Sequence, residues 1–146
     1  MVVAFFGHRC GDYRSYAVKT ADLLIKLAES YGADTFYVGG YGDFDIFAAR
    51  AAYRLKQVKP AAKTVLVASY FPAGASELNL PYYYDSILYP DIGAVSGKMA
   101  IERRNIWMAD AADIIVSGVY REYGVAFNAC RYAEEKNKKI FYIKNL

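Results

Sequence analysis

With 146 residues, 55% hydrophobic and 23% charged, the chain has the composition of one ordered globular domain over 1–146, and disorder is excluded. A net charge of +3, carried by scattered basic residues, argues against nucleic acid as a partner. Two cysteines, Cys10 and Cys130, read as reduced thiols of a cytoplasmic protein, with neither a leader nor an apolar run near the ~18 residues of a membrane span.

Strands and helices alternate along the chain. The run Val2–Phe6 predicts a first strand, followed by a helix from about Tyr13 to Tyr31. Ala17, Ala21, Leu24, Ile25, Leu27 and Ala28 give that helix one buried face, and Gly32 is placed to end it in a left-handed cap. A second strand is expected at Thr35–Val38 and a second helix over about Asp43–Val58, with Phe44, Phe47, Ala48, Ala51, Ala52 and Leu55 at helical spacing. Pro60 lies just beyond its end. Thr64–Ala68 is β-branched and apolar throughout, as in a strand covered on both faces.

Ser69–Gly97 breaks the rhythm, with Pro72, Pro81, Pro90 and the run Tyr82-Tyr83-Tyr84. A connection this long is usually functional or partly structured. The chain holds 15 Tyr in all. They suit interfaces and the stacking of flat ligands, or equally plain core filling. A helix over about Lys98–Ala111, a fourth strand at Asp113–Ser117, a helix at about Gly124–Lys136 and a fifth strand at Lys139–Ile143 complete the pattern. Lys136, Lys138 and Lys139 read as a solvated helix end. The whole predicts a Rossmann-like three-layer α/β/α fold with a five-stranded, mainly parallel sheet in the order 3-2-1-4-5.

In such a sheet ligands bind at the carboxyl ends of the strands, where the strand order reverses. The loops after strands 1 and 4 flank that point. Gly7-His8-Arg9 leaves the first strand: Gly7 permits close backbone approach, and Arg9 can fork onto a phosphate or carboxylate. His8 is the single histidine, so no His-based metal cluster is expected, and it reads either as a ligand group or as a packing residue. After strand 2, Gly39 and Gly40 clear space for a sugar or phosphate. Asp43 reads as a helix cap and Asp45 as a partner for a ribose hydroxyl or base edge. Arg104 shares a helix face with Met108, which directs it toward a cleft together with Asn105. Asp110 and Asp113 bracket a helix end that disfavours acids, which suggests some other contact. Gly118 follows strand 4. If Gly124 opens the next helix, its free N–H groups form an anion site to which Asn128 adds a donor.

Taken together, Gly7-His8-Arg9, Gly39-Gly40 with Gly42 and Phe44-Asp45, Arg104-Asn105 with Met108 and Asp110, Asp113-Ile114-Ile115, Gly124 and Arg131-Tyr132-Ala133 resemble the SLOG superfamily, in particular its YpsA-like branch. The resemblance implies a Rossmann-like domain that binds a nucleotide or nucleotide-derived small molecule, without a metal or other cofactor, and that self-associates as a homo-oligomer. The related LOG phosphoribohydrolases cleave nucleoside monophosphates with an Arg and a Glu. Arg104 matches the Arg, but Asn128 stands at the Glu position and Val125 at a Thr. An amide cannot act as a general base, so the pattern implies binding and leaves the catalytic residue unknown. An N-glycosidase or deoxyribosyltransferase-like enzyme is the alternative, with Asp45, Glu102, Asp110 and Glu122 as the candidate carboxylates. Arg9→Ala and Arg104→Ala are both expected to weaken binding without changing the melting temperature. The tyrosines of 82–84 are expected to form a lid or a subunit contact.

Overall fold

A computed structural model describes residues 1–40, 42–69 and 81–146. Part of the Tyr- and Pro-rich segment, 70–80, and Tyr41 thus lie outside the described residues. Among the described residues six strands form one sheet: β1 (Val2–Phe6), β2 (Thr35–Val38), β3 (Lys63–Val67), β4 (Ser86–Leu88), β5 (Ile114–Ser117) and β6 (Lys139–Tyr142). Their order is β4-β3-β2-β1-β5-β6, and every pairing is parallel. The five expected strands keep their expected relative order. The sixth, β4, adds to the edge beside β3, with Val65 opposite Ser86 and Val67 opposite Leu88. Three residues between Pro81 and Pro90 are too short a run to show an alternation, which is why the sequence pattern misses it.

Among the described residues four helices cover the sheet: α1 (Ala17–Tyr31), α2 (Asp43–Val58), α3 (Gly97–Ala111) and α4 (Val125–Glu135). The alternation along β1 sorts them into layers. Val3 and Phe5 join Leu24 and Leu27 of α1 and Phe44, Ala48 and Ala52 of α2 in one core. Ala4 and Phe6 face the other way, onto Met108 and Ala109 of α3 and Ala129, Cys130 and Ala133 of α4. A fully buried Leu or Phe contributes about 1.5–3 kcal/mol by leaving water. Small residues on α2 and α4 let the helices lie close to the sheet.

Two helix starts differ from expectation, and several helix ends follow it. The first helix starts later than Tyr13, because a 3-10 turn over Arg14–Tyr16 precedes α1. Gly32 ends α1 in the left-handed conformation, φ 71°. Asp43 is not the cap of α2: Gly42 holds that position at φ 116°, and Asp43 instead accepts the Gly11 N–H at 3.0 Å. The acids around the end of α3 do have other contacts. Asp110 accepts from the Tyr132 hydroxyl at 2.7 Å, and Asp113 accepts from the Val2 N–H at 2.8 Å. Lys138 does not merely end α4. Its ammonium donates to the Asp110 and Ala112 carbonyls, the negative end of α3. No helix among the described residues is long and apolar enough to cross a membrane.

Candidate functional site

The strand order reverses between β1 and β5, and their two outgoing loops are locked together by one side chain. Tyr13 is 3% exposed. Its hydroxyl accepts the His8 N–H at 3.0 Å and donates to the Gly118 carbonyl at 3.1 Å. Burial, the main cause, pushes the phenol up to about 12, so it stays a donor. Phe44, at the start of α2, fills the space beneath both loops. A Cβ at Gly7 or at Gly118 would overlap the Phe44 ring, so glycine is needed at both positions for packing.

His8 is buried, and its ring is engaged by the neighbouring loop. Nε2 accepts two backbone N–H groups of the β5–α4 loop, Tyr120 at 3.0 Å and Arg121 at 3.1 Å. The Tyr120 ring meets the imidazole edge-on at 4.6 Å between centroids. Burial, and secondarily the Arg121 charge, lowers the His8 pKa from 6.5.

On the far side of β1, Arg104 is 4% exposed on α3. Nη1 donates to the Gly39 carbonyl at 2.8 Å and the Val67 carbonyl at 3.1 Å, and Nε to Asn105 Oδ1 at 2.9 Å. Arg104 thus ties α3 to the carboxyl ends of β2 and β3. Burial lowers its pKa, while Asp45 and Tyr84 oppose that shift. A side chain at Gly39 would press on the guanidinium at 3.0 Å. Gly40, at φ 76°, has no room for a Cβ beside Leu66.

These elements enclose a cleft of about 520 Å³ at the carboxyl ends of β1 and β5. Gly7, His8, Arg9, Gly39, Asp45, Arg104, Asn105 and Gly124 line it, eight of the eleven residues expected to bind ligand. Gly40, Gly118 and Asn128 are not among its lining residues. Gly40 and Gly118 serve close packing, and Asn128 is exposed on α4. Of the candidate carboxylates, only Asp45 reaches the cleft; Glu102 lies 3.8 Å from Lys98, Asp110 bonds to Tyr132, and Glu122 is exposed on the loop. The tyrosines of 82–84 do not line it either. Their rings meet one another edge-on or tilted, and Tyr82 meets Tyr53 of α2 edge-on.

The sequence pattern misses Lys98, Arg121 and Cys10, which also line the cleft. Lys98 had a usable signal: Gly97-Lys98 opens a helix whose first turn holds no acid. α4 starts the same way, behind Gly124 at φ 99°, with no acid in its first turn and no side chain capping it among the described residues. The lining therefore combines two positive helix ends with Arg9, Lys98, Arg104 and Arg121, against the single carboxylate of Asp45.

No family model matches the chain, and no curated protein matches it. Solved structures do. DNA processing protein A from Streptococcus pneumoniae superposes with a TM-score of 0.67 at 18% identity, over 96% of this chain and 49% of that one. The Helicobacter pylori DNA processing protein A, whose structure concerns its single-stranded DNA binding mode, gives 0.63 at 18%, over 97% and 64%. The molybdenum cofactor carrier protein of Chlamydomonas reinhardtii gives 0.58 at 14%, over 97% and 74%. The chain thus spans about half to two thirds of the two DNA processing proteins. The expectation that nucleic acid is no partner is corrected by these neighbours. Its physical error is that net charge averages over the surface, whereas the cations here converge on one cleft. At these identities the likeness speaks for the fold: a parallel, Rossmann-like α/β sheet with flanking helices.

Proposed function

We propose that the cleft binds a phosphate-bearing nucleotide or nucleotide derivative, its phosphates at the starts of α3 and α4 and its sugar or base toward Gly39 and Asp45. One observation carries this reading. Two acid-free helix N-termini and the side chains of Arg9, Lys98 and Arg121 converge on one cavity of about 520 Å³, within the size range of small-molecule sites. Arg104 supports the reading indirectly, because its hydrogen bonds fix α3 in place.

A thermal-shift and calorimetric series with AMP, ADP, ADP-ribose and a short single-stranded oligodeoxynucleotide tests it. At least one mononucleotide probe should raise the melting temperature by mass action. Arg9→Ala should weaken that binding about tenfold, the worth of one charge-assisted contact. Tight binding of the oligonucleotide with no response to the mononucleotides would move the assignment to nucleic acid.

The buried Asp45 carboxylate favours a second reading, hydrolysis at the anomeric carbon of a bound nucleotide. Release of free base from nucleoside monophosphates, abolished in Asp45→Asn, would establish it.

A further inference from the structure

The His8 imidazole is committed to the loop that carries half of the cleft. A neutral imidazole has one nitrogen with a lone pair and one with a hydrogen. Because Nε2 accepts the Tyr120 and Arg121 N–H groups, the hydrogen is on Nδ1. Protonation would set a third N–H against those two, and both hydrogen bonds would be lost. The loop they hold supplies Arg121, Tyr123 and Gly124 to the cleft and sets the start of α4.

We propose that His8 is a positioning residue whose neutral ring latches the β5–α4 loop at the cleft, so that acidification frees the loop and weakens anion binding. The binding half of this rests on the proposed anion site; the latch itself does not. The Tyr120 ring and the Tyr120 and Arg121 N–H groups contact the imidazole, the Tyr13 hydroxyl contacts the His8 backbone, and Arg9, Asp45, Arg104 and Arg121 line the same cleft as His8. Asp45 is the one carboxylate among them and interacts with Arg104. The surroundings therefore favour the neutral ring, in keeping with its lowered pKa. Between that lowered value and the ordinary 6.5 the folded protein binds fewer protons than the unfolded chain. The latch is therefore at full strength above 6.5 and is lost as the pH falls through the folded value.

Because His8 is the single histidine, its ring C2–H resonance identifies itself in an NMR titration. The ring should titrate below 6.5, and the Tyr120 and Arg121 amide signals should move with the same midpoint and exchange faster below it. ADP-ribose is the binding probe, since its two phosphates each keep one charge across this range. Its affinity should fall about tenfold as the ring protonates, the worth of two backbone hydrogen bonds. His8→Gln offers a non-titrating acceptor at similar reach. It should hold ADP-ribose within about threefold of the parent at neutral pH and remove the pH dependence, whereas His8→Leu should bind about tenfold more weakly throughout. A ring midpoint at or above 6.5, amides that ignore the ring, or a pH dependence that persists in His8→Gln would overturn the proposal. If ADP-ribose binds at no pH, the anion-site reading fails alone, and the ring and amide titrations still decide the latch.

Discussion

Helices α2, α3 and α4 all begin at the carboxyl end of the sheet, yet their first turns are used in opposite ways. The start of α2 is spent on the protein itself. Its Asp43 N–H donates to the Arg9 carbonyl at 2.7 Å, its Phe44 N–H to the His8 carbonyl at 3.4 Å, and Asp43 and Asp45 supply negative charge. The starts of α3 and α4 carry no acid, and both line the cleft. One helix dipole holds the wall of the site; under the proposed function the other two meet a ligand's charge. The comparison teaches that α2, whose first turn carries acids, builds the site, whereas the acid-free first turns of α3 and α4 border the cleft proposed to take an anion.

Removing Arg104 breaks this arrangement most severely. The Gly39 and Val67 carbonyls and the Asn105 side chain would each lose a donor inside the core. Arg104→Ala should cost about 3 kcal/mol, which in a domain of this size lowers the melting temperature by about 10 °C. Arg104→Lys should recover only part of it, since an ammonium lacks the planar fork. Chemical denaturation of the three proteins measures this. A melting temperature unchanged in Arg104→Ala would return Arg104 to the role of a ligand group on a self-sufficient helix, the role its sequence context first suggests.

A carboxylate placed at the start of α4 tests the other half. Ala126 lies in the first turn of α4 and lines the cleft. Ala126→Asp should stabilise the helix by about 0.3–1 kcal/mol through the dipole. It should also weaken ADP-ribose binding at least tenfold, because the protein's own anion now holds the position. Stability and affinity thus move in opposite directions, and a denaturation curve beside a calorimetric titration reads both. A parallel loss of the two would mean that the substitution had only disturbed packing.

The layers of the fold were legible because each is written as a period. The alternation of β1, the Ala-rich face of α2 and the Gly32 cap are local signals, and the structure follows them closely. Of the residues lining the cleft, the sequence picks out glycines at a strand end, Gly7 and Gly39, or at a helix start, Gly124. What stayed hidden depends on distant partners. Nothing near Arg104 in sequence shows that the carbonyls of Gly39 and Val67 await it. His8 stayed open between a ligand group and a packing residue because its two bonding partners lie more than a hundred residues away. Likewise Gly118 clears space for Phe44 from another element, a demand that no local pattern carries.

The smallest expected effect sharpens the comparison from the α2 side. Asp43 does two things at once: its carboxylate accepts the Gly11 N–H, and its charge sits in the first turn of α2. Both are solvent-exposed contributions, so Asp43→Ala should cost only about 1 kcal/mol. Asp43→Asn keeps an acceptor for Gly11 and removes the charge, and should cost about half as much. The Gly11 contact ties down the loop that carries Arg9, so Asp43→Ala should also weaken ADP-ribose binding slightly more than Asp43→Asn does. If the two variants lose the same stability, the charge at the helix start is the whole contribution, and the loop is held by the backbone bonds from Asp43 and Phe44 alone.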